Sequence, residues 1–152
     1  MVTTRLVLSV LGVVAMGLVA VLMLGTGMNG FTARSLPEAS WVLRFQAEDH
    51  LFARAMPPIF LTTLVLQIVG CALNRGAARG LFLASTVLMI GVLLVTNLRE
   101  VPLNHVFQSW TAGAAPANWA VLRDQWLKNH LVRTVMGAAA LVCAVCGLTQ
   151  VR

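Results

Sequence analysis

Apolar and polar positions in this chain are sorted into long blocks and do not alternate residue by residue. Four blocks are almost free of charge: about Leu6 to Met28, Met56 to Leu73, Leu81 to Leu98 and Leu131 to Leu148. Crossing about 30 Å of hydrocarbon takes roughly 20 apolar residues at about 1.5 Å of rise each, with a lower limit near 17. All four blocks reach that length. The pattern therefore predicts an all-α fold, a four-transmembrane-helix bundle forming one domain over residues 1–152. Arg5 before the first block and small residues after it are also features of a signal peptide. The block outlasts the roughly 7–15 residues of a signal's apolar region, so a retained helix is expected.

The polar residues between the blocks are unevenly shared. "NRGAARG", joining the second and third blocks, contains Arg75 and Arg79 and no acid, and Arg5 and Arg152 fall on the same side. Short arginine-rich loops stay cytoplasmic, so both termini are expected inside, at the cytoplasmic membrane if the cell is bacterial. The two longer connections lie at the opposite end. They bring all five carboxylates and all three histidines, His50, His105 and His130, to the non-cytoplasmic side. Acid–base or metal chemistry is confined to that end.

Those connections read as helical extensions. "SLPE" offers Ser35 as N-cap with Glu38 three residues on, a capping box with Pro37 in the first turn. Val42, Phe45, Phe52 and Met56 then recur at helical spacing. Asp49 falls on their apolar face, which calls for a partner, a proton or a ligand. Pro57 and Pro58 suggest a bend where this extension meets the second span. In "NLREVPLNHVFQSW", a helix continuing past Pro102 would place Asn97, Glu100, Asn104 and Gln108 within about 80° of one another. A solvated loop has no reason to segregate its polar groups in that way, so an inward-facing polar stripe is expected, with an ordinary frayed helix end as the alternative. After the small-residue linker "TAGAAPAN", Asn118 is a plausible N-cap for a helix whose stripe is Trp119, Leu122, Trp126, His130, Arg133 and Gly137, with Arg123 and Lys128 off it. Arg133 falls just inside the hydrocarbon, where Glu100, Asp49 or a bound anion would have to satisfy it.

Composition narrows the classes. Hydrophobic residues make up 59% and charged residues 11% of the chain, and the mean hydropathy is +0.84. A soluble domain carries about 25% charged residues, so a lipid bilayer must supply most of the solvent. The net charge of +6 is scattered singly over span ends without a basic stripe, which argues against a nucleic-acid partner. "CAVC" (Cys143 to Cys146) has C-x-x-C spacing, but the only other cysteine is Cys71, and small packing residues are the simpler reading. His50, His105 and His130 with Glu100 or Asp49 would suit zinc, copper or iron, although no two of the histidines share a ligand-type spacing. Gly12, Gly17, Gly25 and Ala15 would allow a close helix contact on the first span, and a bundle this small often forms homo-oligomers.

Several short motifs together resemble the anthrone oxygenase-like family of small membrane proteins. They are "VPLN" (Val101–Asn104) ending the third span, "W…NH..R" (Trp126, Asn129, His130, Arg133) before the fourth, and "W…Q…MPP" (Trp41, Gln46, Met56 to Pro58) between the first two. The resemblance covers essentially the whole chain, with "EDH" (Glu48–His50) outside the pattern. It implies oxidation of an anthrone to an anthraquinone by molecular oxygen. An anthrone deprotonates to an electron-rich carbanion that reacts with oxygen directly, so a base and anion stabilisation suffice and no cofactor is required. On that expectation His130 is the leading base, with Glu100 beside it in the catalytic set. Arg133 stabilises the oxyanion, Asn97 and Asn104 orient a hydrophobic substrate, and Trp119 and Trp126 are flat walls. Two other classes compete with this one: a metal-dependent membrane enzyme using His50, His105 and His130, and a non-catalytic lipid-binding or scaffold protein.

Overall fold

The computed structural model describes residues 2–151, so Arg152, one of the arginines used for orientation, lies outside the described residues. The chain folds as α1 (Val2–Thr32), α2 (Glu38–Leu73), α3 (Gly76–Val95), α4 (Val101–Gln108) and α5 (Trp119–Leu148). A 3₁₀ turn at Ala33–Ser35 follows α1, and a π turn at Thr96–Glu100 joins α3 to α4 without a break. No strand occurs among the described residues.

Four helical runs are long and apolar enough to cross a membrane: Thr3–Ser35, Glu38–Leu73, Gly76–Gln108 and Trp119–Leu148. α1 packs on α2 and α5, and α3 packs on the same two, so the four spans close into a ring. Valines and leucines such as Val14, Val21, Leu61, Leu94, Val135 and Val142 stand exposed on the outside. Only a bilayer gives that surface an apolar surrounding, and the chain is an integral membrane protein. Inside, Met16, Val19, Met23, Phe60, Met89, Val92 and Ala140 make the mid-bundle core. A second, aromatic core fills the end away from the termini, built on Trp41, Phe45, Phe107 and Trp126. Gly12 meets α2 where Leu66 O would lie 3.4 Å from an added Cβ, so this small residue serves contact within the bundle.

Two local expectations are corrected. Ser35 does not cap α2; its hydroxyl bonds Thr32 O, and Pro37 is the residue at the cap. Glu38 turns across to the linker instead, accepting from the N–H groups of Gly113 and Ala115 at 3.3 Å each. Pro57 and Pro58, where a bend was expected, lie inside α2, which continues through both for 36 residues. Asn97 leaves the polar stripe. Pro102 has no N–H, and just ahead of it Val101 bonds back five residues to Thr96 O. That wider turn takes up one more residue than an α turn and shifts the phase of everything before it. Thr96, not Asn97, stands beneath Glu100. Asn97 is exposed and its amide only caps Leu93 O at 2.8 Å.

Candidate functional site

The aromatic end of the bundle encloses a cavity of about 110 Å³ walled by all four spans. Leu22, Met23 and Thr26 come from α1, and Phe45, Glu48, Asp49, Phe52, Met56 and Phe60 from α2. The run from Thr96 to Asn104 adds Thr96, Glu100 and Asn104, and α5 adds Trp126 and Arg133. Apart from Thr26 and Glu48, its polar groups fall into two sets, one turn apart along the α3–α4 run.

The deeper set is an ion pair with a histidine behind it. Glu100 is 2% exposed, and its Oε2 lies 2.8 Å from Arg133 Nη1. Arg133 also donates to Thr96 Oγ1 at 3.1 Å and to His130 Nδ1 at 2.9 Å through Nη2. His130 Nε2 is 2.8 Å from Met23 O. A carbonyl only accepts, so the ring proton sits on Nε2 and Nδ1 is left to accept from the guanidinium. Nδ1 then has no proton for Glu100 Oε1, 3.4 Å away. In agreement with this, Oε1 is buried without any hydrogen-bond partner. A carboxylate oxygen left in that state is costly unless something donates to it. It lies on a residue that lines the cavity.

The upper set is Asp49, Asn104 and Gln108. Asp49 Oδ1 accepts from Asn104 Nδ2 at 2.6 Å and Oδ2 from Gln108 Nε2 at 2.8 Å. Asn104 Oδ1 in turn accepts from the Trp126 indole at 2.8 Å. Gln46, on α2, donates to the carbonyls of Phe107 and Trp110 at 3.0 and 2.9 Å and so ties down the end of α4. Trp126 stacks on His130 at 5.0 Å and meets Phe45 edge-on at 5.5 Å. The two polar sets thus share a rigid aromatic support.

The sequence-derived candidates divide accordingly. Glu100, Arg133, Asn104 and Trp126 meet at the cavity. His130 is fully buried and stands behind Arg133, off the cavity wall. Trp119 is farther out, packed 5.9 Å from Trp41 and covered by Arg123, and Asn97 faces outward. The proposed metal set is not assembled. His50 and His105 are exposed on the surfaces of α2 and α4 while His130 is buried, and no group of three or more His, Cys, Asp or Glu side chains capable of holding a metal comes together among the described residues. Helical faces decide this, since the three histidines share an end of the bundle but not a direction. Cys71, Cys143 and Cys146 are free. Sequence reading missed Thr96, whose position depends on the π turn. It also missed Arg123, which is buried at the polar end although it lies off the stripe.

A family model described as anthrone oxygenase matches residues 49–143, which hold both polar sets and α3. No curated protein and no solved structure matches the chain.

Proposed function

The chain belongs to the anthrone oxygenase family, and from that premise we propose that it oxygenates a hydrophobic, electron-rich aromatic substrate at an activated methylene, with Glu100 as the base. The observation that carries this reading is Glu100 itself, a residue of the cavity wall that is paired with the Arg133 guanidinium through Oε2 and keeps a buried Oε1 without a donor.

Glu100 Oε1 removes one proton from the methylene. The enolate oxygen that develops faces Arg133, a fixed positive charge in a site that excludes water. The carbanion carbon gives its electron pair to molecular oxygen, and a C–O bond forms. The peroxide anion takes back the proton held by Glu100. Removal of the second C–H proton then breaks the O–O bond, leaving a carbonyl on the substrate and one water. Carbon is oxidised and oxygen reduced, so no other redox partner enters the balance. His130 acts as a positioning residue: held by Met23 O, it fixes Arg133, which fixes Glu100.

A cavity of about 150 Å³ accommodates one benzene ring, so the 110 Å³ here admits one edge of a fused ring system. The rest of the substrate lies against the half-buried rim of Leu22, Thr26, Phe52 and Met56, which favours a flat apolar molecule that partitions into lipid. With Arg5, Arg75 and Arg79 on the other side, the termini are cytoplasmic and the cavity opens toward the non-cytoplasmic leaflet.

The test is oxygen uptake by purified wild type and Glu100→Gln with an anthrone in detergent or nanodiscs. Loss of about 10²- to 10⁴-fold in turnover is expected of a missing base. A Glu100→Gln protein that keeps wild-type turnover would remove Glu100 from the chemistry. Wild type that consumes no oxygen with any anthrone, yet binds it, would favour a lipid-binding or carrier role for the same cavity.

A further inference from the structure

Besides Glu100 the cavity wall carries two carboxylates, Glu48 and Asp49, with no task in the chemistry above. Among the described residues, Glu48 pairs with Arg44, Asp124 with Arg34 and Arg123, and Glu100 with Arg133. Glu38 is taken by linker amides. Asp49 alone is both on the cavity wall and without a cationic partner, because its oxygens receive only the neutral amides of Asn104 and Gln108. It is also held without freedom to turn away. Asn104 cannot flip its amide without setting an N–H against the Trp126 indole N–H. Gln108 is fixed as well, since its amide donates to Gln46 O at 3.3 Å.

Each carboxylate oxygen has about two lone-pair directions, so each oxygen of Asp49 retains acceptor capacity after its amide bond. The position of that capacity relative to the base follows from the helix. Asn104, which holds Asp49, is one turn beyond Glu100 on a run that is α-helical from Val101 onward. Four residues at about 1.5 Å each set Asn104 roughly 6 Å beyond Glu100 along the helix axis, so the carboxylate that Asn104 holds lies about one helical turn from the base.

We propose that Asp49 is a specificity-determining residue: it accepts a hydrogen bond from a hydroxyl on the substrate, about one helical turn from the carbon that Glu100 deprotonates. This rests on reading the cavity as the substrate site, and it adds which substrates enter it. The site takes a neutral aromatic with a donor hydroxyl at that distance. It rejects the same ring when the hydroxyl is methylated, because Asp49 then faces an acceptor. It rejects a ring carrying a carboxylate there more strongly, because two like charges then meet.

The experiment compares a hydroxylated anthrone with its methyl ether in wild type, Asp49→Asn and Asp49→Ala. Oxygen uptake gives kcat/KM, and quenching of tryptophan fluorescence gives binding without turnover. Wild type is expected to prefer the hydroxylated compound by about 10- to 100-fold, the range of a hydrogen bond to a charged group. The ratio of the two kcat/KM values is expected to fall to within a few-fold in Asp49→Ala, with the change mainly in KM. Equal use of both compounds by wild type, or an undiminished ratio in Asp49→Ala, overturns the role of Asp49 and leaves the oxygenase reading standing. Wild type that neither binds nor oxidises either compound overturns both. Because the first comparison uses wild type alone, a variant that fails to fold does not shield the proposal.

Discussion

The indole N–H of Trp126 points at the amide oxygen of Asn104, 2.8 Å away, and that single bond decides which way the asparagine faces. Its amino group is thereby aimed at Asp49. Asn104→Leu is of similar size and removes both functions, leaving the indole N–H and a carboxylate oxygen without their partner. A loss of about 1–3 kcal/mol is expected, read as a lower midpoint of unfolding in detergent. Trp126→Phe, which orphans only the asparagine oxygen and leaves a smaller ring against His130, should be destabilised too. An Asn104→Leu protein as stable as wild type would mean that water replaces the lost amide.

Glu100 and Arg133 are a buried pair, and such pairs are more dangerous to halve than to remove. Arg133→Met leaves the Glu100 carboxylate in an apolar wall with no counter-charge. Breaking one partner of a buried ion pair typically costs about 3–5 kcal/mol. The double variant Glu100→Gln with Arg133→Met removes both charges and should recover a large part of that stability while remaining inactive. Thermal unfolding of wild type, both singles and the double makes a cycle. A double variant as unstable as the sum of the singles would show that the two side chains do not stabilise each other.

Two glycines on α1 separate close packing from open surface. A Cβ on Gly27 would sit 3.1 Å from His130 Cδ2 and 3.3 Å from Nε2, whereas one on Gly25 would meet nothing within 4 Å. Gly27→Ala therefore pushes on the ring that holds Arg133, with an expected cost of about 1–3 kcal/mol and a loss of oxygen uptake. Gly25→Ala should be neutral or stabilising by up to about 1 kcal/mol, since alanine is the better helix former. Equal effects of the two would mean that α1 moves away from α5 without consequence for the site.

Most of the architecture was legible because hydrophobicity alone places four spans in a bilayer. The site was legible in part, for reasons that differ by residue. Glu100 at the N-cap of α4 and Asn104 and Gln108 within it follow one helical count, so 100° per residue puts them on one face, and the structure agrees. Asn97 failed the same count because the period itself changes at the π turn, a local event that no residue pattern announces beyond the proline after it. His130 was expected to face a substrate, yet its two nitrogens are claimed by Met23 O and Arg133. A backbone carbonyl as partner is invisible in a list of side chains. The capping box failed similarly, since Glu38 has a better use in the linker amides 75 residues away.

Arg123 shows what a stripe analysis leaves out, and it supports the most exacting prediction. It lies off the apolar line of α5, but at the polar end that helix is also covered by the turn at Ala33–Ser35, which widens its buried face. Its Nη1 donates to Arg34 O at 2.9 Å, its Nε to Asp124 at 3.0 Å, and its guanidinium lies 4.9 Å over the Trp119 ring. One planar fork makes all three contacts, and a lysine ammonium, a point charge on a flexible stem, keeps at most one or two of them. Arg123→Lys should therefore loosen the turn that ends α1 while preserving charge. The effect belongs to that end, so hydrogen exchange should quicken at residues 31–36 and stay unchanged at mid-bundle residues 85–93. Oxygen uptake should fall less than in Gly27→Ala, because Gly30, whose Cβ position lies 2.8 Å from Leu127, still holds α1 to α5 between the turn and Met23. If exchange at 31–36 matched wild type, Arg34 and Asp124 alone would be enough to pin the turn, and the guanidinium would matter only to Trp119.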